Sequence, residues 1–284
     1  MGAGGENRGV PFTLSHPAVV LPLLRDGRGR GRLVGGALVA GSMAPDVPFF
    51  TDSIVRGTYQ YGTFTHSLWG VATADVGIAA VLVGGWHWLL REPLVALLPG
   101  RWADAADALT APSGRRRDAG AVGWFVLSAV IGAATHVAWD AFTHGGRVGV
   151  RLLPVLDRTV NGHPLFYLLQ AGCSVAGLGV LAWYVPRALR QAADKADEEG
   201  AGERVPRLSG RVKSAVGVLV GAAAVAGVVQ RLSRWDAGSL RNAAVTDLIP
   251  PVAFGAGMGA AAGLACYAAL TRVPAARRLA RRLG

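Results

Sequence analysis

Apolar positions in this chain come in long blocks rather than in alternation, and the blocks are too long for strands. A hydrocarbon core of about 30 Å needs about 20 helical residues. Three blocks reach that length with at most one formal charge each: 120 to 143 (GAVGWFVLSAVIGAATHVAWDAFT), 164 to 186 (PLFYLLQAGCSVAGLGVLAWYVP) and 248 to 271 (LIPPVAFGAGMGAAAGLACYAALT). Two more predict spans: 66 to 90, which contains Asp75 and His87, and the shorter 214 to 230, rich in small residues. Ahead of them, 11 to 24 (PFTLSHPAVVLPLL) and 33 to 50 (LVGGALVAGSMAPDVPFF) are apolar but short and interrupted by Pro. Each predicts a partial, tilted or re-entrant helix. The expectation is an all-α, polytopic transmembrane bundle of five spans plus two short N-terminal apolar helices.

The polar stretches divide the chain. Residues 187 to 213 have almost no large apolar side chains and read as a flexible cytoplasmic loop. It separates a membrane core, residues 1 to 186, from a two-helix segment with a basic tail, residues 214 to 284. Gly and Ala are dense within the blocks, as at Gly255, Gly257, Gly259 and Gly263, where small residues let helices approach closely in lipid. No internal repeat is visible. The first block does not read as a cleavable signal, since its charged flank is weak and no small-residue cleavage site follows.

Composition supports this pattern. Charged residues make up 17% of the 284 and the apolar set 51%, and the mean hydropathy is +0.35, which excludes a disordered chain. Two Cys, Cys173 and Cys266, are too few for a disulfide scaffold, and both fall inside expected spans as packing residues. Net charge is +11, from 29 Lys and Arg against 18 Asp and Glu, which on a soluble chain would raise nucleic acid as a partner. If all seven blocks cross, however, 21 basic residues fall on one side and 8 on the other. If the two short ones do not, the split is 17 to 12. The positive-inside rule then gives a multi-pass protein of the plasma (inner) membrane, with the N-terminus outside and the C-terminus cytoplasmic. The charge is thus a topology signal, with membrane lipid as the expected partner and no nucleic acid.

On that topology the His and Asp residues gather. His16 opens the first block, Asp46 closes the second, His66 opens the third, and His136, Asp140 and His144 end the fourth. All six fall at one membrane face whichever way the protein is inserted. In T-H-V-A-W-D-A-F-T-H, His136, Asp140 and His144 stand at i, i+4 and i+8, along one helical face. Two imidazoles and a carboxylate in a stripe suit a divalent first-row metal, most simply Zn. An isolated H-x3-D reads more readily as a polar helix end. Three further candidates at the same face, and the cost of ionisable groups near hydrocarbon, favour a site. Ser15-His16-Pro17 and Thr65-His66-Ser67 place hydroxyls beside His at helix starts, where they can cap, and Pro45 fixes the turn before Asp46.

The strings S-H-P, G-S-M-A-P-D, F-T-H-S-L, T-H-V-A-W-D-A-F-T-H and G-H-P-L-F-Y-L-L-Q resemble the membrane proteins grouped as domain-of-unknown-function family 4184, over about residues 10 to 270. More distantly, the pattern is similar to a LexA-binding, inner-membrane-associated family described as metal-dependent hydrolases. There a T-H, a G-S-x-x-P-D, a T-H-S and an H-x3-D recur in the same order. That resemblance implies metal-site positions at His16, Asp46, His66, His136 and Asp140. This chain departs from it at Pro48, where the hydrolase pattern tends to carry a second acid.

Other polar residues carry weaker expectations. Asp75, half a turn out of phase with His66 on a continuous helix, reads as an interhelical hydrogen bond or a protonated acid. His87, between Trp86 and Trp88, reads as an interfacial belt residue. His163 and Gln170 are placed to support ligands or begin a helix. The expected function is a metal-dependent hydrolase centre at the extracytoplasmic face. It would act on a lipid or lipid-linked (phospho)ester, with Asp140 and His144 in catalytic roles, His144 as base or extra ligand. The alternative is a non-catalytic membrane protein whose cluster is a structural metal or hydrogen-bond site, since no H-E-x-x-H or evident nucleophile is present. A transporter ranks third for want of an inverted repeat.

Overall fold

The structure is a computed structural model and describes residues 13–112, 118–199 and 205–273. Parts of three expectations fall outside them: the start of the first apolar block, the middle of the 187–213 loop, and the basic tail beyond 273.

Two short limbs open the fold. The first is a 3-10 turn (Thr13–Ser15), α1 (Pro17–Val20) and a second 3-10 turn (Leu21–Leu23). It reaches a two-residue antiparallel hairpin, β1 (Leu24–Arg25) with β2 (Arg28–Gly29). The second limb returns as α2 (Gly35–Gly41), a 3-10 turn (Ala44–Asp46) and α3 (Val47–Thr51). Pro17, Pro22, Pro45 and Pro48 each lie in the first positions of one of these pieces, where a missing N–H costs nothing. The limbs are therefore chains of short helices, none long enough to cross a bilayer.

The block at 66 to 90 is broken as well. After α4 (Gly62–Thr65) come α5 (Leu68–Ala72), capped by Ser67 through Gly70 N–H at 3.1 Å, and α6 (Ala74–Gly85). Between them Thr73 leaves helical geometry, its hydroxyl donating to the Trp69 carbonyl at 2.6 Å. A π-helical turn, Trp86–Leu90, then passes into α7 (Arg91–Leu97), and α8 (Gly100–Thr110) packs back on it.

Four helices are long and apolar enough to cross a membrane: α9 (Ala119–Thr143), α11 (Leu165–Glu198), α12 (Gly210–Leu232) and α14 (Val245–Leu270). Against the expected five spans, four uninterrupted helices meet the length and hydropathy of a span among the described residues, and the run at 68–97 is broken. Between the four lie α10 (Val148–Leu152), the hairpin β3 (Thr159–Val160) with β4 (His163–Pro164), and α13 (Ala237–Asn242). Asp118 caps α9 by accepting from Ala121 N–H at 2.8 Å. Residues 187 to 198, expected in a loop, continue α11, because QAADKADE is made largely of good helix formers. Large apolar side chains on these helices face outward, with Val175, Val218 and Val245 each more than 70% exposed. An unpartnered apolar surface of that kind fits a lipid environment.

The limbs and long helices meet through small residues. Ala37 and Ala40 of α2, Ala79 of α6 and Ala129 of α9 form one buried cluster. α2 and α9 come so close that a Cβ on Gly132 would collide with the Leu38 carbonyl, and one on Gly41 with that of Ala129. That contact holds the end of α2 against the middle of α9. It also fixes the two ends of the bundle. The β1–β2 hairpin lies near the start of α9, where Arg32 stacks over Trp124, while Asp46 lies toward its end.

Candidate metal centre

The C-terminal third of α9 carries His136 and Asp140, both buried and one turn apart. Around them stand Asp46 from the turn after α2, His66 from the end of α4 and His16 from the start of α1. Their convergence follows from the fold: α2 runs along α9, the turn after it carries Asp46, and α6 packs against both.

Four ligand atoms face one another: Asp46 Oδ1, Asp140 Oδ2, His66 Nε2 and His136 Nε2. His66 Nε2 is 3.5 Å from Asp46 Oδ1 and 3.4 Å from Asp140 Oδ2. His136 Nε2 is 3.4 Å and 3.5 Å from the same two oxygens. Ligands about 2.05 Å from a tetrahedral ion stand about 3.4 Å from each other. One ligand atom from each of the four residues lies within 4.8 Å of the other three.

The ring tautomers agree with this reading. His136 Nδ1 lies 2.8 Å from the Ser42 carbonyl oxygen, and His66 Nδ1 2.8 Å from that of Gly62. A carbonyl only accepts, so each Nδ1 carries the proton and each Nε2 presents a lone pair inward. Lone pairs therefore face carboxylate oxygens across gaps longer than an ordinary hydrogen bond. His136 Nε2, Asp46 Oδ1 and Asp140 Oδ1 are buried and have no hydrogen-bond partner among the described residues. Leaving such groups unpaired is costly, and a divalent cation among the four ligand atoms removes the cost for His136 Nε2 and Asp46 Oδ1 while matching the two carboxylates in charge. The donor set fits a metal ion.

The remaining predicted residues border this centre. Thr13 Oγ1 donates to Asp46 Oδ2 at 2.5 Å, leaving Oδ1 to face inward. The His16 ring stacks on His136, centroids 3.7 Å apart, and its Nε2 lies 3.7 Å from Asp140 Oδ1. His144 was expected on the α9 stripe, but the helix ends at Thr143 and His144 has extended backbone. Its ring still turns back, with Nδ1 3.6 Å from Asp140 Oδ1 and Nε2 2.8 Å from the Gln170 amide. His163 is exposed and stacks on Tyr167, away from the cluster.

Of the two expectations for Asp75, the interhelical hydrogen bond is absent among the described residues. The residue is fully buried, yet neither carboxylate oxygen has a hydrogen-bond partner among the described residues. The break at Thr73 starts a new helix with Asp75 in the first turn of α6, and Asp75 is not among the four residues whose ligand atoms converge.

A model of the family described as "Domain of unknown function (DUF4184)" matches residues 10–269. The chain belongs to this family. No curated protein and no solved structure matches it. The DUF4184 match encloses all six clustered residues and leaves out the basic tail.

Sequence reasoning missed a second polar cluster beside the centre. Asp52, following α3, pairs with Arg231 at 3.0 Å and Arg234 at 3.1 Å, at the end of α12. Gly57 and Tyr59 donate backbone N–H groups to its other oxygen. Burial works against the charged form. These N–H groups and the two guanidinium groups outweigh it and hold the Asp52 carboxyl below the usual carboxylate value. No local spacing announces a pair 179 residues apart.

Proposed function

We propose that this membrane protein binds a divalent first-row cation, most simply Zn, and hydrolyses an ester with it at the extracytoplasmic face. Asp46, His66, His136 and Asp140 hold the ion, and the substrate class is a lipid or lipid-linked ester, phosphoesters included. The observation that carries the reading is the set of four N–O separations of 3.4 and 3.5 Å around buried ligand atoms. A bound divalent cation polarises an ester oxygen and draws the pKa of a coordinated water toward about 7.

The chain's own groups prepare that chemistry. The Ser42 and Gly62 carbonyls fix the two ligand rings, and Thr13 orients Asp46. His144, tethered by Gln170 beside Asp140, is placed to act as a base or as an extra ligand. Orientation rests on charge: Arg32, Arg91, Arg187 and Arg272 lie at the bundle end that also carries Trp88, Trp124 and Trp183, opposite the centre. The positive-inside rule puts that end in the cytoplasm. Exposed Leu68 and Trp69, just after His66, give the centre an apolar rim suited to lipid.

One observation favours a second reading, a non-catalytic metal staple: four protein ligands complete a tetrahedral ion, the pattern of structural sites. Full-length protein in lipid nanodiscs separates the two. The hydrolase reading expects a tightly retained ion in the wild type, its loss in His136→Ala, and turnover on a lipid and phosphoester panel that is lost with it. Background metal in the wild type removes both readings. Retained metal without turnover, with Asp140→Asn lowering thermal stability, selects the staple.

A further inference from the structure

Asp140 uses only one of its oxygens in the four-residue centre. The other, Oδ1, is buried and has no hydrogen-bond partner among the described residues. It is flanked by His16 Nε2 at 3.7 Å and His144 Nδ1 at 3.6 Å. Both separations are too long for hydrogen bonds, and all three side chains are at least nine-tenths buried. The Oδ1 side thus resembles the Oδ2 side, with imidazole nitrogens ranged around a carboxylate oxygen at 3.6 and 3.7 Å.

We infer that Asp140 bridges two cations, and that a second divalent ion sits on its Oδ1 side, ligated by His16 Nε2 and His144 Nδ1. The inference rests on the four-residue centre holding the first ion. The Gln170 side-chain nitrogen lies 2.8 Å from His144 Nε2, and ligation through Nδ1 requires the amide to turn its oxygen to that ring nitrogen and accept its proton. Thr143 Oγ1, 3.2 Å from the same Nδ1, is the competing partner when no second ion is bound.

The consequence concerns chemistry. The first position has four protein ligands and is closed; the second has three, and three-ligand sites keep a place for water or substrate. A closed ion bridged to an open one through a carboxylate is a two-metal hydrolytic arrangement, so the second position is where an ester meets the protein. The second ion is also the weaker, because the two carboxylates are already neutralised by the first.

The test is stoichiometry, with Co2+ as a coloured substitute for Zn2+. Full-length protein in nanodiscs is dialysed against rising Co2+, bound metal is counted by elemental mass spectrometry, and the visible spectrum is recorded. Two ions per chain are expected in the wild type, the second binding more weakly. His16→Ala and His144→Ala should each retain the tight ion and its spectrum, and weaken the second at least about 100-fold. The retained ion reports an intact fold, and His144→Gln serves if the alanine variant does not keep it. A wild type that stops at one ion, or a second ion indifferent to both substitutions, overturns the inference and leaves the four-residue centre standing. A wild type that takes up no ion overturns the four-residue centre itself, and the bridge falls with it.

Discussion

Two buried acidic clusters lie side by side at one end of this bundle, and they are built on opposite principles. Around Asp52, donors meet acceptors: two guanidinium groups at 3.0 and 3.1 Å and two backbone N–H groups share its oxygens. Around Asp46 and Asp140, imidazole lone pairs meet carboxylate oxygens across 3.4 to 3.5 Å, and buried ligand atoms have no hydrogen-bond partner among the described residues. In the first cluster both Asp52 oxygens are paired, although Arg234 Nε has no hydrogen-bond partner among the described residues. That cluster ties α12 to the segment after α3, with Arg231 also lying over the Phe254 ring. The second is complete only with a cation. Burial alone does not separate a staple from a site; what separates them is whether the polar groups satisfy one another.

The largest expected effect tests that contrast directly. Asp46→Asn removes a charge and a ligand from the centre and should lower cation affinity at least about 100-fold, beyond the range seen when only a supporting partner of a ligand is lost. Asp52→Asn, an equal change one helix away, should leave metal content per folded chain unchanged. Elemental analysis after dialysis against a chelator reads both. Equal losses in the two variants would erase the distinction between the clusters.

Next in size is the converse. Arg231→Ala breaks half of a buried ionic cluster, and a broken buried pair costs about 3–5 kcal/mol. Arg234 remains on Asp52, which should hold the cost to about 2–3 kcal/mol. Thermal or denaturant unfolding in micelles measures it, with metal content as the control that should not move.

The centre was more legible in the sequence than its neighbour, for a physical reason. His136 and Asp140 share one helix at i, i+4, and His16, Asp46 and His66 announced themselves as polar residues closing or opening apolar blocks. A helix that must cross a bilayer sorts its ends to common faces, so position along the chain became position in space. The Asp52 cluster has no such ruler, since it joins a turn to a helix end far along the chain. Backbone contributions were equally hidden. The Ser42 and Gly62 carbonyls depend on how the chain turns, not on side-chain identity, and the break at Thr73 that starts a new helix before Asp75 left no Pro or Gly to mark it. His144 was read onto the stripe of α9, but the helix stops one residue earlier, and only the ring's return toward Asp140 keeps it in the cluster.

A smaller effect sharpens the centre from outside its ligands. Thr13→Val deletes the hydroxyl that donates to Asp46 Oδ2 and leaves all four ligand atoms in place. Loss of such a supporting partner costs about 10–100-fold in metal affinity, and the lower end, about 10-fold, is expected because Asp46 stays packed between α2 and α3. Chelator competition measures it. An unchanged affinity would show that the Asp46 carboxylate is oriented by packing alone.

The smallest expected effect is a pH dependence confined to the self-satisfied cluster. Asp52 has its carboxyl held below the usual value in the folded protein, so its pairing stabilises the fold fully above the unfolded carboxylate value. That contribution is lost as pH falls through the lower, folded one. Unfolding measured with chelator present, so that metal loading contributes nothing, should show the wild type more stable than Asp52→Asn at neutral pH. The gap should hold down to about pH 4 and shrink below it, as the wild-type carboxylate takes up the proton that the Asn variant never binds. A gap that stays constant down to pH 3 would mean that Asp52 contributes through shape and hydrogen bonding rather than charge, and the cluster would then resemble its neighbour less in chemistry than its acids suggest.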